Sequence, residues 1–188
     1  NINQLDEELA ATISEIPAKE FICDEEEDLL EIYQLLAQMH ITGPKSWTAI
    51  QQAHMVYQTY QGLLRKIDEQ VEFAYSVTLV KECAKILGQP WQEVRKDLAI
   101  YRIFRQLQSS RFPVQHEHYS KIQMVYDASG LAKDYLGFDN DKYELSGLGL
   151  ERFNDLFLEE NCPINNPQDF RKAKYIHKQL GENSLEHL

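Results

Sequence analysis

Apolar residues recur along this chain at steps of three and four, and glycine and proline cut that rhythm into helix-length pieces. Five consecutive acids, Asp24 to Asp28, open the first piece, whose stripe is Leu29, Ile32, Tyr33, Leu36 and Met39. Acids in a first turn complement the helix dipole. Gly43-Pro44 ends that helix, and Ser46 is placed to cap the next, which carries Ile50, Ala53, Tyr57, Tyr60 and Leu64. Residues 62–77 fit a short helix through Ile67, Val71 and Ala74, with some strand-like alternation from Val71 to Val77 beside it. Thr78 is placed to cap a helix with Leu79, Val80, Cys83, Ala84 and Leu87, and Gly88-Gln89-Pro90 stops it. Val94, Leu98, Tyr101 and Phe104 mark the following helix, to about residue 108. Tyr119, Ile122, Tyr126, Leu131 and Tyr135 mark another, closed by Gly137. Leu150, Phe153, Leu156 and Phe157 form one more. Asn166-Pro167 opens the last, with Phe170, Ala173, Ile176 and Leu180, before Gly181. Only residues 19–23 read as a strand. The fold expected is all-α: a multi-helix domain with a short N-terminal strand remnant.

With 188 residues, 43% of them apolar, the chain can bury about 70% of its unfolded surface and so sustain a sizeable core. No run approaches the roughly 20 apolar residues of a membrane span, and no basic-then-apolar segment opens the chain, so a soluble cytoplasmic protein is expected. Asn1 stands where a complete chain has methionine, which reads as a piece of a longer protein. Cys23, Cys83 and Cys162 are odd in number and lack CxxC spacing, against a disulfide framework or a zinc ribbon. No cofactor or metal is expected. His116 and His118 lack a third ligand. Asp139, Asp141 and Glu144 miss the glycine and the final glutamate of a calcium loop, and read as an Asx turn.

The net charge of −11 is unevenly spread. Residues 1–33 hold one lysine against eleven acids, whereas residues 78–111 hold seven bases against three. Phosphate attraction acts within a Debye length of roughly 8–10 Å, so this basic block is a usable anion surface despite the acidic whole.

Inside that block, Ala84, Gly88 and Val94 meet the needs of a helix-turn-helix: a small residue where the second helix crosses, a left-handed turn residue, and an apolar lock. At 100° per residue, Leu98 and Tyr101 fall within about 40° of Val94. Gln92, Arg95, Lys96, Ala99, Arg102 and Gln106 lie between about 80° and 200°. The expectation is a recognition helix over 91–108 whose Gln92, Arg95, Lys96 and Arg102 face a DNA major groove, with Lys81, Lys85, Arg105 and Arg111 as flanking backbone contacts.

Residues 78–107, TLVKECAKILGQPWQEVRKDLAIYRIFRQL, resemble the helix-turn-helix of ParB-type proteins. Upstream, His40, Gly43 and Trp47 are similar to the His-x-x-Gly-x-x-x-Trp join of ParB/sulfiredoxin-like proteins. Downstream, residues 132–139 and 163–172 resemble the helical extension of that group. The resemblance runs over residues 20–178. It implies that residues 1–23 are the remnant of a mostly missing N-terminal ParB-like domain, which carries the family's nucleotide chemistry. Residues 24–111 are then a helical domain with the helix-turn-helix at 78–108, and 112–188 a C-terminal helical extension. Gly62-Leu63-Leu64-Arg65 matches the family's Gly-x-x-Arg string but stands in the wrong place, as coincidence.

Three functions follow for weighing. The first is the DNA-binding module of a ParB-like protein, nucleoid- or plasmid-associated, in plasmid or chromosome partition. The second is a helical protein-interaction adaptor whose basic face meets an acidic partner and whose 146–180 helices supply an apolar groove. The third is the substrate-guiding part of a ParB/sulfiredoxin-type nuclease or nucleotide hydrolase, with no turnover expected of this chain alone. DNA is the expected partner, with a homodimer or the missing N-terminal domain as further ones and no membrane.

Overall fold

The computed structural model describes residues 32–33, 35–36, 47–112, 114–128, 130–158, 162–164 and 166–180. The expected strand at 19–23, the acidic run, the Gly43-Pro44 break and Ser46 lie outside them. The protein is all-α, with six helices of nine or more residues among those described: α1 (Ala49–Arg65), α2 (Val77–Leu87), α3 (Trp91–Ser109), α4 (Tyr119–Asp127), α5 (Gly147–Phe157) and α6 (Pro167–Leu180). No strand occurs among the described residues, only an isolated bridge between Asp139 and Glu144.

α1 starts at Thr48, whose backbone N–H donates to Gln51 Oε1 at 3.0 Å. It buries Ala53, Val56, Tyr60, Leu63 and Leu64, and packs against both α2 and α3. It ends at Arg65, so the helix expected over 62–77 is absent beyond that point. Tyr60 is the reason. Its hydroxyl donates to the Ala74 carbonyl at 2.7 Å and accepts from the Ser76 N–H at 2.8 Å, tying the connection in a non-helical path. Burial pushes the Tyr60 phenol up to about 12. Ser76, not Thr78, then caps α2, its Oγ accepting from the Leu79 N–H at 3.4 Å.

α2 stops at Gly88, which takes φ 65° and ψ 30°, while the Gln89 N–H returns to the Ala84 carbonyl at 3.0 Å. Glycine adopts this left-handed conformation without the Cβ penalty other residues meet there. Pro90, just ahead of α3, holds φ −60°.

Past α4, residues 131–135 form a wider, π-type turn, and the chain reverses at Gly137 with φ 61°. The Asx turn is present: Asp139 Oδ1 accepts from the N–H groups of Asp141 and Lys142 at 2.8 and 3.1 Å. α5 then passes so close to the Leu136 backbone that a Cβ on Gly149 would lie 1.8 Å from its carbonyl oxygen. Asn166 caps α6, Oδ1 accepting from the N–H groups of Gln168 and Asp169 at 2.9 and 3.0 Å. One apolar cluster runs from Ala53 to Ala173, so the boundary expected at 111/112 falls inside a continuous core.

Candidate nucleic-acid interface

The helix-turn-helix is built as its spacing implies: α2, a left-handed Gly88, then α3 carrying a buried Val94. Around the turn, Lys81, Lys85 and Gln92 are exposed. The Lys81 ammonium lies 5.9 Å from the centre of the Trp91 ring, which sets it beside the start of α3. Lys85 stands one helical turn further along the same face of α2. Among the described residues, no side chain caps the first turn of α3.

The middle of α3, expected to read bases, is largely turned inward. Nine of the 19 residues of α3 are buried, and Ala99, expected to permit close approach of DNA, is fully covered. Arg102 ion-pairs with Glu144 and stacks on Phe73, its guanidinium carbon 4.1 Å from the ring centre. Its side chain is 11% exposed. Gln106 holds both polar groups of Leu145: Nε2 donates to the carbonyl at 2.9 Å and Oε1 accepts from the N–H at 2.8 Å. Lys96 pairs with Asp127 of α4 at 2.9 Å, and that bond holds its ammonium above the usual lysine range. Arg95 is half-buried with its Nε covered. Burial alone would lower its pKa, but the neighbouring Tyr143, Tyr75 and Tyr126 more than offset that and raise it.

What covers this face is the 138–145 loop, fixed by a buried Tyr143 whose ring lies 4.7 Å from Tyr75 and 6.0 Å from Phe138. Arg95 and Arg102 are therefore corrected from base-reading groups to groups held by the protein's own C-terminal half, while Lys96 is corrected to one side of a partly exposed pair with Asp127. A guanidinium already held by partners within the protein is not free to reach into a groove. Of the flanking set, Arg105 is exposed at the edge of Tyr57, 6.0 Å from its ring centre, and Arg111 is paired with Glu151 at 3.1 Å.

The electrostatics of α3 include one buried acid. Asp97 accepts from Gln52 Nε2 at 3.3 Å, and burial, then the charge of Glu93, lifts its carboxyl to about 6. His118, half-buried, accepts the Gln115 N–H on Nδ1 at 3.0 Å, and burial lowers its pKa. Among the described residues of 146–180, Phe153, Phe157, Phe170 and Ala173 are buried in the core.

The sequence reading passed over α6. Its segment averaged to net acidic over 112–188, yet residues 167–180 hold Arg171, Lys172, Lys174 and Lys178 against Asp169 alone. A window of one helix, rather than of a third of the chain, would have found it.

Comparison with family models, curated proteins and solved structures returns no match. Among the described residues, no helix is long and apolar enough to cross a membrane.

Proposed function

We propose that this chain is a DNA-binding module that holds the phosphate backbone at the helix-turn-helix rim and leaves the bases unread by Arg95 and Arg102. The observation that carries this reading is the exposed pair Lys81 and Lys85 beside the uncapped start of α3. Backbone N–H groups at a helix start, flanked by ammonium groups, suit a phosphate oxygen. Gln92 adds a neutral donor, and Arg105 lies further along the same helix. Glu82 and Glu93 share this surface and keep its net charge low, which favours modest, salt-sensitive binding over tight recognition.

The test is a duplex titration over a series of salt concentrations. Each phosphate neutralised adds about 0.9 to the slope of log affinity against log salt, so Lys81→Ala with Lys85→Ala should flatten it by about 1.8. Binding whose slope ignores that double change overturns the reading.

A further inference from the structure

We propose that the outward face of α6 is a separate binding surface for single-stranded nucleic acid, with Arg171, Lys174 and Lys178 on its phosphates and Tyr175 stacked on a base. At 100° per residue these four side chains fall within an arc of about 100°, centred about 120° from that of the buried Phe170, Ala173 and His177. Tyr175 is 66% exposed, the largest ring left open to water among the described residues. The helix is fixed on its inner side, where Phe170 lies 6.4 Å from Phe157 and His177 6.1 Å from Tyr135, ring centre to ring centre. The outer face is thus presented on a rigid support.

The cations of this face, like Lys81 and Lys85 at the turn, are exposed and hold no carboxylate among the described residues. Lys96, Arg102 and Arg111 each have a carboxylate partner. Among the described residues, no carboxylate pairs with Arg171, Lys174 or Lys178. The single acid of the helix, Asp169, is engaged by Asn166 Nδ2 at 2.6 Å and lies 3.8 Å from Lys172. Arg171 and Lys178 are seven residues apart, about 10 Å along the axis. That length follows a strand of phosphates rather than enclosing one anion.

The ring decides the class of polyanion. A cationic track with an aromatic platform is how unpaired bases are held without sequence readout, whereas a duplex keeps its bases stacked inside and the carboxylates of an acidic peptide bring no ring to stack. A lipid surface is disfavoured because the apolar face of α6 is buried in the core, leaving Tyr175 alone to insert. This surface does not depend on the turn of α2 and α3.

The experiment is fluorescence anisotropy of the whole chain with a labelled oligothymidylate of about 20 nucleotides and an abasic oligomer of the same length. The wild type should bind the oligothymidylate about tenfold more tightly than the abasic oligomer. Tyr175→Ala should erase that preference and Tyr175→Phe should keep it. Arg171→Ala, Lys174→Ala and Lys178→Ala together should lower the salt slope by about 2, at about 0.7 per phosphate of a single strand. All four side chains are exposed, and an unchanged thermal midpoint checks that the variants fold. Equal affinity for the two oligomers in the wild type overturns the proposal. So does a polyglutamate peptide of equal charge that binds as tightly as the oligothymidylate, which assigns the face to an acidic protein. Lys81→Ala with Lys85→Ala should leave single-strand binding intact, so failure at the turn and failure at α6 are read separately.

Discussion

Replacing Asp97 by asparagine should stabilise this protein, and by an amount set by pH. Asp97 is 8% exposed, and its carboxyl rises from 3.8 to about 6 on folding. That difference of about 2 units corresponds to about 3 kcal/mol between the two protonation states. The folded carboxyl binds its proton more readily than the unfolded one. Its contribution is therefore fully present below about pH 4 and lost as pH rises through about 6. At pH 7.5 the ionised aspartate weighs against the fold, and Asp97→Asn removes that cost while keeping an oxygen for Gln52. Urea unfolding at pH 7.5 should show the variant more stable by about 3 kcal/mol, with a thermal midpoint about 9 °C higher for a chain of this size. At pH 4 the two proteins should nearly coincide. A difference that stays constant between pH 4 and 7.5, or a variant weaker than wild type at pH 7.5, refutes the assignment of burial as the dominant influence on this acid.

Arg102→Ala should cost about 2 kcal/mol in urea unfolding, since it removes the Glu144 pair and the stack on Phe73, while leaving the salt slope of duplex binding unchanged in the folded protein. Two glycines should separate cleanly in thermal melts. Gly149→Ala should destabilise by more than about 3 kcal/mol because its Cβ meets the Leu136 carbonyl, whereas Gly88→Ala, with open space around it, should cost only the left-handed strain of about 1 kcal/mol.

The helices themselves were legible because local signals fixed them. Gly88 stops α2 in the sequence as in the structure, and Asn166-Pro167 opens α6 where the capping residue and the proline say it should. Caps moved where a competing group lay nearby: Thr48 and Gln51 start α1, and Ser76, held by Tyr60, starts α2. The inward turn of the expected DNA face was not legible from polar residues alone. The partners of Arg102 and Gln106 lie about 40 positions away, at Glu144 and Leu145, and no local period encodes them. A signal did exist on the same helical wheel. Ile103, Leu107 and Ile100 stand at about 180°, 220° and 240° from Val94, so α3 carries a second apolar arc beside the Val94 stripe, the mark of a helix packed on more than one side. Reading only the stripe that contained Val94 hid this. The α6 face was missed for a different reason, the averaging of its cations with distant acids.

The enclosure of α3 also sets where this molecule is free to change. A substitution at Ala99, Ile100 or Arg102 is felt by α1, by the 138–145 loop or by both, so heritable variation there is filtered by whether the chain survives at all. At Lys81, Lys85, Gln92 or Gln108 the side chain ends in water, and an exchange alters what the surface attracts while the interior stays as it was. New preferences in a lineage built on this scaffold should therefore accumulate along the margin of the two-helix element, with its middle held constant. For the same reason, α2 and α3 cut out on their own would expose a girdle of isoleucine and leucine and clump, so the pair cannot be transplanted as a cassette.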